Sequence, residues 1–373
     1  MSERPFIVRQ KKLSAALSEH KIPMLALNPG PTLSYLTGLH FHLSERPILF
    51  IYSSDSTPHI VLPELEKGKL ANLDFDLRSH TYSEDPTTWD RAFRNIAAEV
   101  RLDSRRVAIE PRRLRVLELR LLENAAPRSA YVNGESMISA IRMIKDADEI
   151  SSIRKAVRVA QTGIEETRRQ IESGITETEA ASELVLQLLR AGSDSELPFS
   201  PIVAFGKHSA DPHAVPGKKK LMPGDLVLFD WGAAVDGYVS DITRMFSFGE
   251  IDEELVRITE IVERANQAAF EAAHPDVSAS VVDAAARSII FDAGFGSYFI
   301  HRTGHGLGLE AHEEPYIRSG NGQHLLPGMV FTIEPGIYIP DLGGARIEDD
   351  VVVTADGAER LTDLPRKLVQ LGT

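Results

Sequence analysis

Cysteine is absent from the 373 residues. Disulfides, thiolate nucleophiles and thiolate-ligated metal sites are therefore excluded, and a bound cation is expected to take its ligands from His, Asp and Glu. No apolar run is long enough to cross a bilayer, and Ser2-Glu3-Arg4-Pro5 opens the chain without the apolar core of a signal peptide. A cytoplasmic protein is expected, with no membrane partner. An excess of positive charge is missing too: 41 Lys and Arg stand against 54 Asp and Glu, a formal net charge of -13. That balance repels polyanions and excludes nucleic acid as an expected partner. The run Lys218-Lys219-Lys220 interrupts it and reads as a solvated loop. What remains is ordinary globular composition, 43% hydrophobic and 25% charged, in a length that suits one large domain and one smaller one.

The chain contains a near-repeat. Leu221-Met222-Pro223-Gly224 runs through an apolar stretch into Asp230, and Leu325-Leu326-Pro327-Gly328 does the same into Glu334, so each carboxylate stands seven residues after its proline. Pro-Gly is a turn signal and the residues after it are β-formers, which predicts a turn feeding a buried strand in each copy. Two buried acids without partners would cost several kcal/mol each, on the order of magnitude known for buried charges, so they must be paired, hydrogen-bonded or bound to a cation.

Residues 1–140 mix an opening amphipathic helix with strand-like runs such as Pro47–Tyr52 and His59–Leu62, an α/β domain in which His40 and His42 flank a loop. Near residue 140 the texture changes. Ile150, Ile153, Val157, Ala160 and Ile164 trace a helix ending near Ser173-Gly174, and Thr176 with Glu179 forms a capping box for a second helix. About a hundred residues later Leu255, Ile258, Val262, Ala265 and Ala269 mark a long helix, followed by one from Ser278 to Ala293 closed by Gly294. Residues 141–373 therefore read as two copies of helix, helix, strands about a pseudo-twofold axis.

Each copy adds a second acid. Asp241 follows Asp230 across a predicted hairpin turning at Gly237, and Glu348 follows Glu334 across one turning at Gly343-Gly344. Five of the twelve histidines, His208, His213, His301, His305 and His312, fall in a window that otherwise holds only His274, so imidazole gathers around the acids. Four carboxylates and a histidine suit two divalent cations bridged by carboxylates and a water, a centre that generates hydroxide near neutral pH and polarises a carbonyl. Amide hydrolysis is the reaction implied. The competing reading makes Asp230 and Glu334 structural acids paired with Arg244 and Arg346.

Phe229 to Arg244, His301 to Pro315, Thr332 to Tyr338 and Gly344 to Asp349 resemble the signature segments of the pita-bread metallopeptidases, in the Xaa-Pro branch that contains prolidase and aminopeptidase P. The resemblance spans residues 141–360, and Tyr35-Leu36-Thr37-Gly38 resembles the creatinase-type N-terminal domain of that branch. It implies a mixed α/β (α+β) protein, a creatinase-like N-terminal domain followed by a pita-bread catalytic domain. It implies metal ligation by Asp230, Asp241, His305, Glu334 and Glu348, with Asp241 and Glu348 bridging two ions (Mn, Co, Zn or Fe, with Mn or Co favoured) and hydroxide between them as nucleophile. Glu334 doubles as proton shuttle, His312 bonds the scissile group or the proline carbonyl, and His213 contacts the leaving-group side. His301 is a pocket histidine, and Arg346 and Tyr338 orient ligands and substrate. The expected substrate is a short proline-containing peptide, cut at its Xaa-Pro bond. Relatives acting on cyclic amino-acid derivatives or sulfonium acids, or binding peptides without catalysis, are the alternative. Dipeptide-specific members place an arginine soon after the His-Glu segment; here Arg318 is the nearest. A homodimer is implied, in which the loop from His40 to Glu45 of one subunit contacts the partner's site.

Overall fold

The computed structural model describes residues 5–371; Ser2, Glu3 and Arg4 lie outside the described residues. The chain divides into two compact units, Met1–Arg142 and Met143–Thr373.

The first unit is built on one mixed sheet. Helix α1 (Pro5–Glu19) leads into β1 (Met24–Leu27), α2 (Pro31–Thr37), β2 (Leu49–Ser53), β3 (Ser56–Pro63), β4 (Arg78–Tyr82), α3 (Trp89–Glu99), β5 (Arg106–Ile109), α4 (Val116–Ala125), β6 (Ala130–Asn133) and α5 (Glu135–Met143). The sheet order is β4-β3-β2-β1-β5-β6. Strands β1 and β2 are buried along their whole length, as apolar runs covered on both faces must be. His40 and His42 lie exposed in the irregular segment before β2.

The second unit opens with α6 (Ala147–Arg168) and α7 (Glu177–Ala191). Each starts at a capping box, Asp146 with Glu149 and Thr176 with Glu179, which satisfies backbone N–H groups that the first helical turn leaves open. Helix α6 stops five residues short of the Ser173 end expected from its apolar stripe, and Gly174, at φ 87°, makes the turn. Strands β7 (Ile202–Phe205), β8 (Asp225–Trp231), β9 (Ala234–Val235), β10 (Tyr238–Val239) and β11 (Ile242–Phe248) follow, then α8 (Glu253–Ala272) and α9 (Ala279–Asp292). The chain closes with β12 (Gly304–Gly306), β13 (Glu313–Ile317), β14 (Val330–Ile333), β15 (Gly336–Ile339), β16 (Gly343–Arg346), β17 (Asp349–Val353), β18 (Ala358–Arg360) and β19 (Val369–Leu371).

Two sheets result, β19-β11-β8-β7 and β13-β12-β14-β17-β18, each with a small two-stranded ribbon beside it. They correspond element by element: α6-α7 to α8-α9, the β8/β11 hairpin with its β9/β10 ribbon to β14/β17 with β15/β16. Both Pro-Gly turns place glycine at positive φ, 98° at Gly224 and 90° at Gly328, and both feed buried strands. The halves meet where Thr243 of β11 bridges Glu348, and the symmetry-equivalent contact joins Asp241 N–H to Asp350 Oδ2 at 3.1 Å. The second ribbon does not turn at Gly343-Gly344. Those glycines lie inside β16, and Pro340-Asp341-Leu342 makes the turn with Asp341 at φ 62°. The glycines serve close approach instead: a Cβ on Gly344 would sit 2.4 Å from the Ser209 carbonyl. Among the described residues no helix is long and apolar enough to cross a membrane.

Candidate metal centre

Strand periodicity assembles the acids. Asp230 lies on β8 opposite Thr243, and Glu334 follows directly after β14, whose Thr332 lies opposite Asp350. Relative to its own hairpin, Glu334 therefore stands two residues beyond the position of Asp230. An even shift keeps the same face, so both carboxylates still point to the junction. Asp241 and Glu348 occupy equivalent places, each one residue before its strand, and His305 arrives from β12.

The five residues form one crowded site. Ligand atoms of Asp230, Asp241 and Glu348 lie within 4.8 Å of one another, as do those of His305, Glu334 and Glu348, and those of Asp241, His305 and His312. His305 Nε2 is 3.2 Å from Glu334 Oε1 and 3.7 Å from Asp241 Oδ2. Its Nδ1, 3.2 Å from the Gly306 carbonyl, bonds there only as N–H, which leaves Nε2 as the ring nitrogen turned toward the acids. Burial pushes Asp241 and Glu348 well above ordinary carboxylate pKa values, and repulsion from neighbouring acids adds to it. Asp230 is raised as well, by burial, against the pull of Arg346. Burial also opposes ionisation of Glu334, but its hydrogen bond to His305 and the charges of His305, His301 and Arg346 outweigh that and lower its pKa. Asp230 Oδ2 is held by Arg346, yet Asp230 Oδ1 is buried without a hydrogen-bond partner. Mutually repelling oxygens, an orphaned carboxylate oxygen and an imidazole nitrogen turned among them fit divalent cations.

A hydrogen-bonded chain supports the site. Arg346 Nη1 donates to Tyr338 Oη at 2.8 Å, and Tyr338 Oη lies 2.9 Å from His301 Nε2, whose Nδ1 is 2.7 Å from the Arg302 carbonyl. Guanidinium only donates, so the phenol must donate onward to Nε2 and His301 must give its Nδ1–H to the carbonyl. Burial lifts Tyr338 to about 12 and lowers His301, so the chain stays neutral around its one guanidinium. Arg346 Nε also donates to Thr243 Oγ1 at 3.1 Å, and that hydroxyl donates to Glu348 Oε2 at 2.7 Å.

His312 stands at the rim with its ring centroid 4.1 Å from that of His305; partial burial, then the charges of His305 and Arg302, bring its pKa to about 4. His213 is exposed, near enough for its charge to act on His312. His208 does not join the centre and binds Glu177 instead. Arg244, the proposed structural partner for the acids, pairs with Asp349 at 2.6 Å and not with Asp230 or Glu334. Arg318 is exposed, with Nη1 on the Ser319 carbonyl at 3.1 Å. Sequence reasoning missed Thr243, Asp350 and Arg302. The first two stand two residues after Asp241 and Glu348, a same-face spacing that would have found them. Arg302 carried no such signal. Its guanidinium lies 4.5 Å from the Tyr316 ring centroid, a contact between segments distant in sequence.

The family model for metallopeptidase family M24 matches residues 151–355, and that for the creatinase/prolidase N-terminal domain matches residues 9–144. The chain belongs to metallopeptidase family M24. This M24 chain is 37% identical over 97% of its length to the putative dipeptidase YkvY of Bacillus subtilis, covering 99% of that protein. It is 36% identical to an Xaa-Pro dipeptidase of Lactobacillus delbrueckii subsp. lactis, over 96% of this chain and 97% of the other. Among solved structures, a dipeptidase from Pyrococcus horikoshii OT3 superposes with a TM-score of 0.92 at 39% identity, covering 97% of this chain and 100% of that one. The M24 metallopeptidase fold and the crowded acids thus coincide in one unit.

Proposed function

We propose that the protein hydrolyses the Xaa-Pro bond of dipeptides, with residues 141–373 as its catalytic domain and residues 1–140 as a creatinase-like N-terminal domain. The observation that carries this reading is the overlap of three ligand groups at one buried junction, with Asp230 Oδ1 unsatisfied among them. Asp230, Asp241, His305, Glu334 and Glu348 would hold two divalent cations, Asp241 and Glu348 serving both; an oxygen-rich set with one imidazole suits Mn, Co, Zn or Fe, and Mn or Co is favoured. Bound there, the cations supply Lewis-acid chemistry, polarising a carbonyl and lowering the pKa of a water.

The remaining roles fall to the chain itself. Glu334 Oε2, 4.0 Å from His301 Nδ1, takes the proton of the attacking water and returns it to the leaving amine. His312, neutral near pH 7, donates a hydrogen bond to the scissile carbonyl or the proline carbonyl, and His213 meets the leaving-group side. Tyr338 and His301 keep Arg346 aimed at Asp230. Arg302 has no ion-pair partner among the described residues; stacking on Tyr316 leaves its hydrogen-bonding edge open, which suits the free carboxylate of a dipeptide. A homodimer in the cytoplasm, with neither nucleic acid nor membrane as partner, completes the proposal.

The test is hydrolysis of an Xaa-Pro dipeptide, an Xaa-Pro-Xaa tripeptide and a Met-Ala control after chelation and add-back of Mn, Co or Zn. Metal-dependent cleavage confined to Xaa-Pro bonds, faster for the dipeptide, is expected; a protein that binds two metals and cuts no peptide would overturn the reading.

A further inference from the structure

Glu177 is fully buried but stands apart from the acids of the metal centre. It is the first residue of α7, after the N-cap Thr176, where a negative charge also suits the helix dipole. Its Oε1 accepts the Phe205 N–H at 2.9 Å and lies 2.8 Å from His208 Nδ1. Its Oε2 accepts the Gly217 N–H at 3.0 Å and lies 2.9 Å from the same His208 nitrogen. One carboxylate thus closes segment 205–217 at both ends and grips it between them. The same helical turn holds the segment's end and the chain just beyond: Thr178 Oγ1 donates to the Pro216 carbonyl at 3.0 Å and Glu177 N–H to the Lys219 carbonyl at 3.0 Å.

The clasped segment carries His213. Among the described residues the His213 ring makes no hydrogen bond, while its backbone N–H donates to Asp211 Oδ1 at 3.0 Å. The far side of the segment is tied to the other half of the unit, Gly344 N–H donating to Ser209 Oγ at 2.8 Å and Arg346 Nη1 to the Pro212 carbonyl at 3.4 Å. Backbone, not side-chain contacts, therefore fixes where the imidazole stands.

We propose that Glu177 is a positioning residue that acts through segment 205–217 to hold His213 at the rim of the metal centre, next to the Pro212 carbonyl that Arg346 binds. The proposal rests on the reading of His213 as a substrate-contacting group. Glu177→Gln preserves volume but replaces an acceptor by a donor facing an N–H, leaving buried groups unpaired. Hydrogen exchange at the Phe205 and Gly217 amides should accelerate at least about tenfold, a readout that needs neither metal nor substrate. The kcat/KM for an Xaa-Pro dipeptide should fall at least about tenfold with KM carrying more of the change than kcat, whereas a smaller folded fraction would lower kcat alone. Combined with His213→Ala, Glu177→Gln should add nothing further, since both variants remove the same contact. Unchanged exchange, or effects that multiply in the double variant, would overturn the proposal. If Glu177→Gln does not fold, His208→Ala, which spares both amide bonds, should show the same pattern in weaker form, and wild-type kinetics would refute it. An inactive wild type would sink the Xaa-Pro reading instead, with the exchange result still deciding the clasp.

Discussion

Asp230 Oδ1 has no hydrogen-bond partner although its neighbour Oδ2 is taken by Arg346, and it faces two carboxylates whose pKa values burial and repulsion raise. Removing one of these charges should relieve strain in the metal-free protein and remove a ligand at the same time. Glu348→Gln is expected to melt about 2 °C or more above wild type in chelator. It should also lose the stabilisation that metal gives wild type, about 2.7 kcal/mol per site at a hundredfold excess over Kd; calorimetry with and without Mn checks both. Tyr338 is the joint between His301 and Arg346, bonded to each within 2.9 Å. Tyr338→Phe takes away the His301 Nε2 partner and leaves Arg346 Nη1 only the Pro212 carbonyl, and kcat/KM should fall about 10- to 100-fold with little change in melting temperature, the usual cost of losing a group that orients a ligand. Asp241, Glu348 and Glu334 were legible from spacing alone, because periodicity fixes the face on which a strand residue lies. Arg302 was not, because a guanidinium over a distant ring is set by tertiary packing.

Elements carry constraints that no single side chain shows. Gly304 lies in β12 beside β14, where a Cβ would sit 1.8 Å from the Thr332 carbonyl. Gly304→Ala must therefore push the two strands apart and carry His305 with it. Loss of metal binding by isothermal titration, with a drop in stability of roughly 2 kcal/mol or more, is expected. In the first unit His59 on β3 and His80 on β4 share a sheet face, with His59 Nδ1 3.0 Å from His80 Nε2. One nitrogen must donate and the other accept, so the accepting ring has to be neutral and the bond is lost once both rings are protonated. Burial lowers both pKa values, followed by the repulsion of His80 in the case of His59; the Glu99 carboxylate, 3.8 and 3.9 Å away, opposes this and Arg78 reinforces it. A histidine whose folded pKa lies below its unfolded value stabilises the fold above the unfolded pKa of about 6.5, and that contribution is lost as pH falls toward the folded value. Urea melts between pH 7.5 and 5 should show wild type losing more stability than His80→Gln. The positions of α6 to α9 were readable from apolar stripes and caps. The end of α6 and the turn of the β15/β16 ribbon were misplaced, because an apolar stripe that stops at Ile164 does not mark where the last helical turn ends and Gly343-Gly344 serve packing rather than turning.

The molecule as a whole joins a net charge of -13 to a buried acidic centre, so cations are the natural counterpart of both surface and site. The homodimer proposed for it should elute in light scattering at twice the 41.1 kDa chain mass; a fully active monomer would exclude a partner's contribution to catalysis. The sequence by itself determined what the chain can be made of: no thiol chemistry, two units, two matched sets of helices and strands, and acids placed at matched strand ends, because composition and periodicity are local properties. It did not determine that Glu334 stands two residues beyond the place of Asp230, that Arg244 serves Asp349, or that Glu177 clasps the segment bearing His213. Those outcomes depend on strand register and on which buried polar groups find partners across the junction of two halves, and only the folded chain brings those groups within hydrogen-bonding distance.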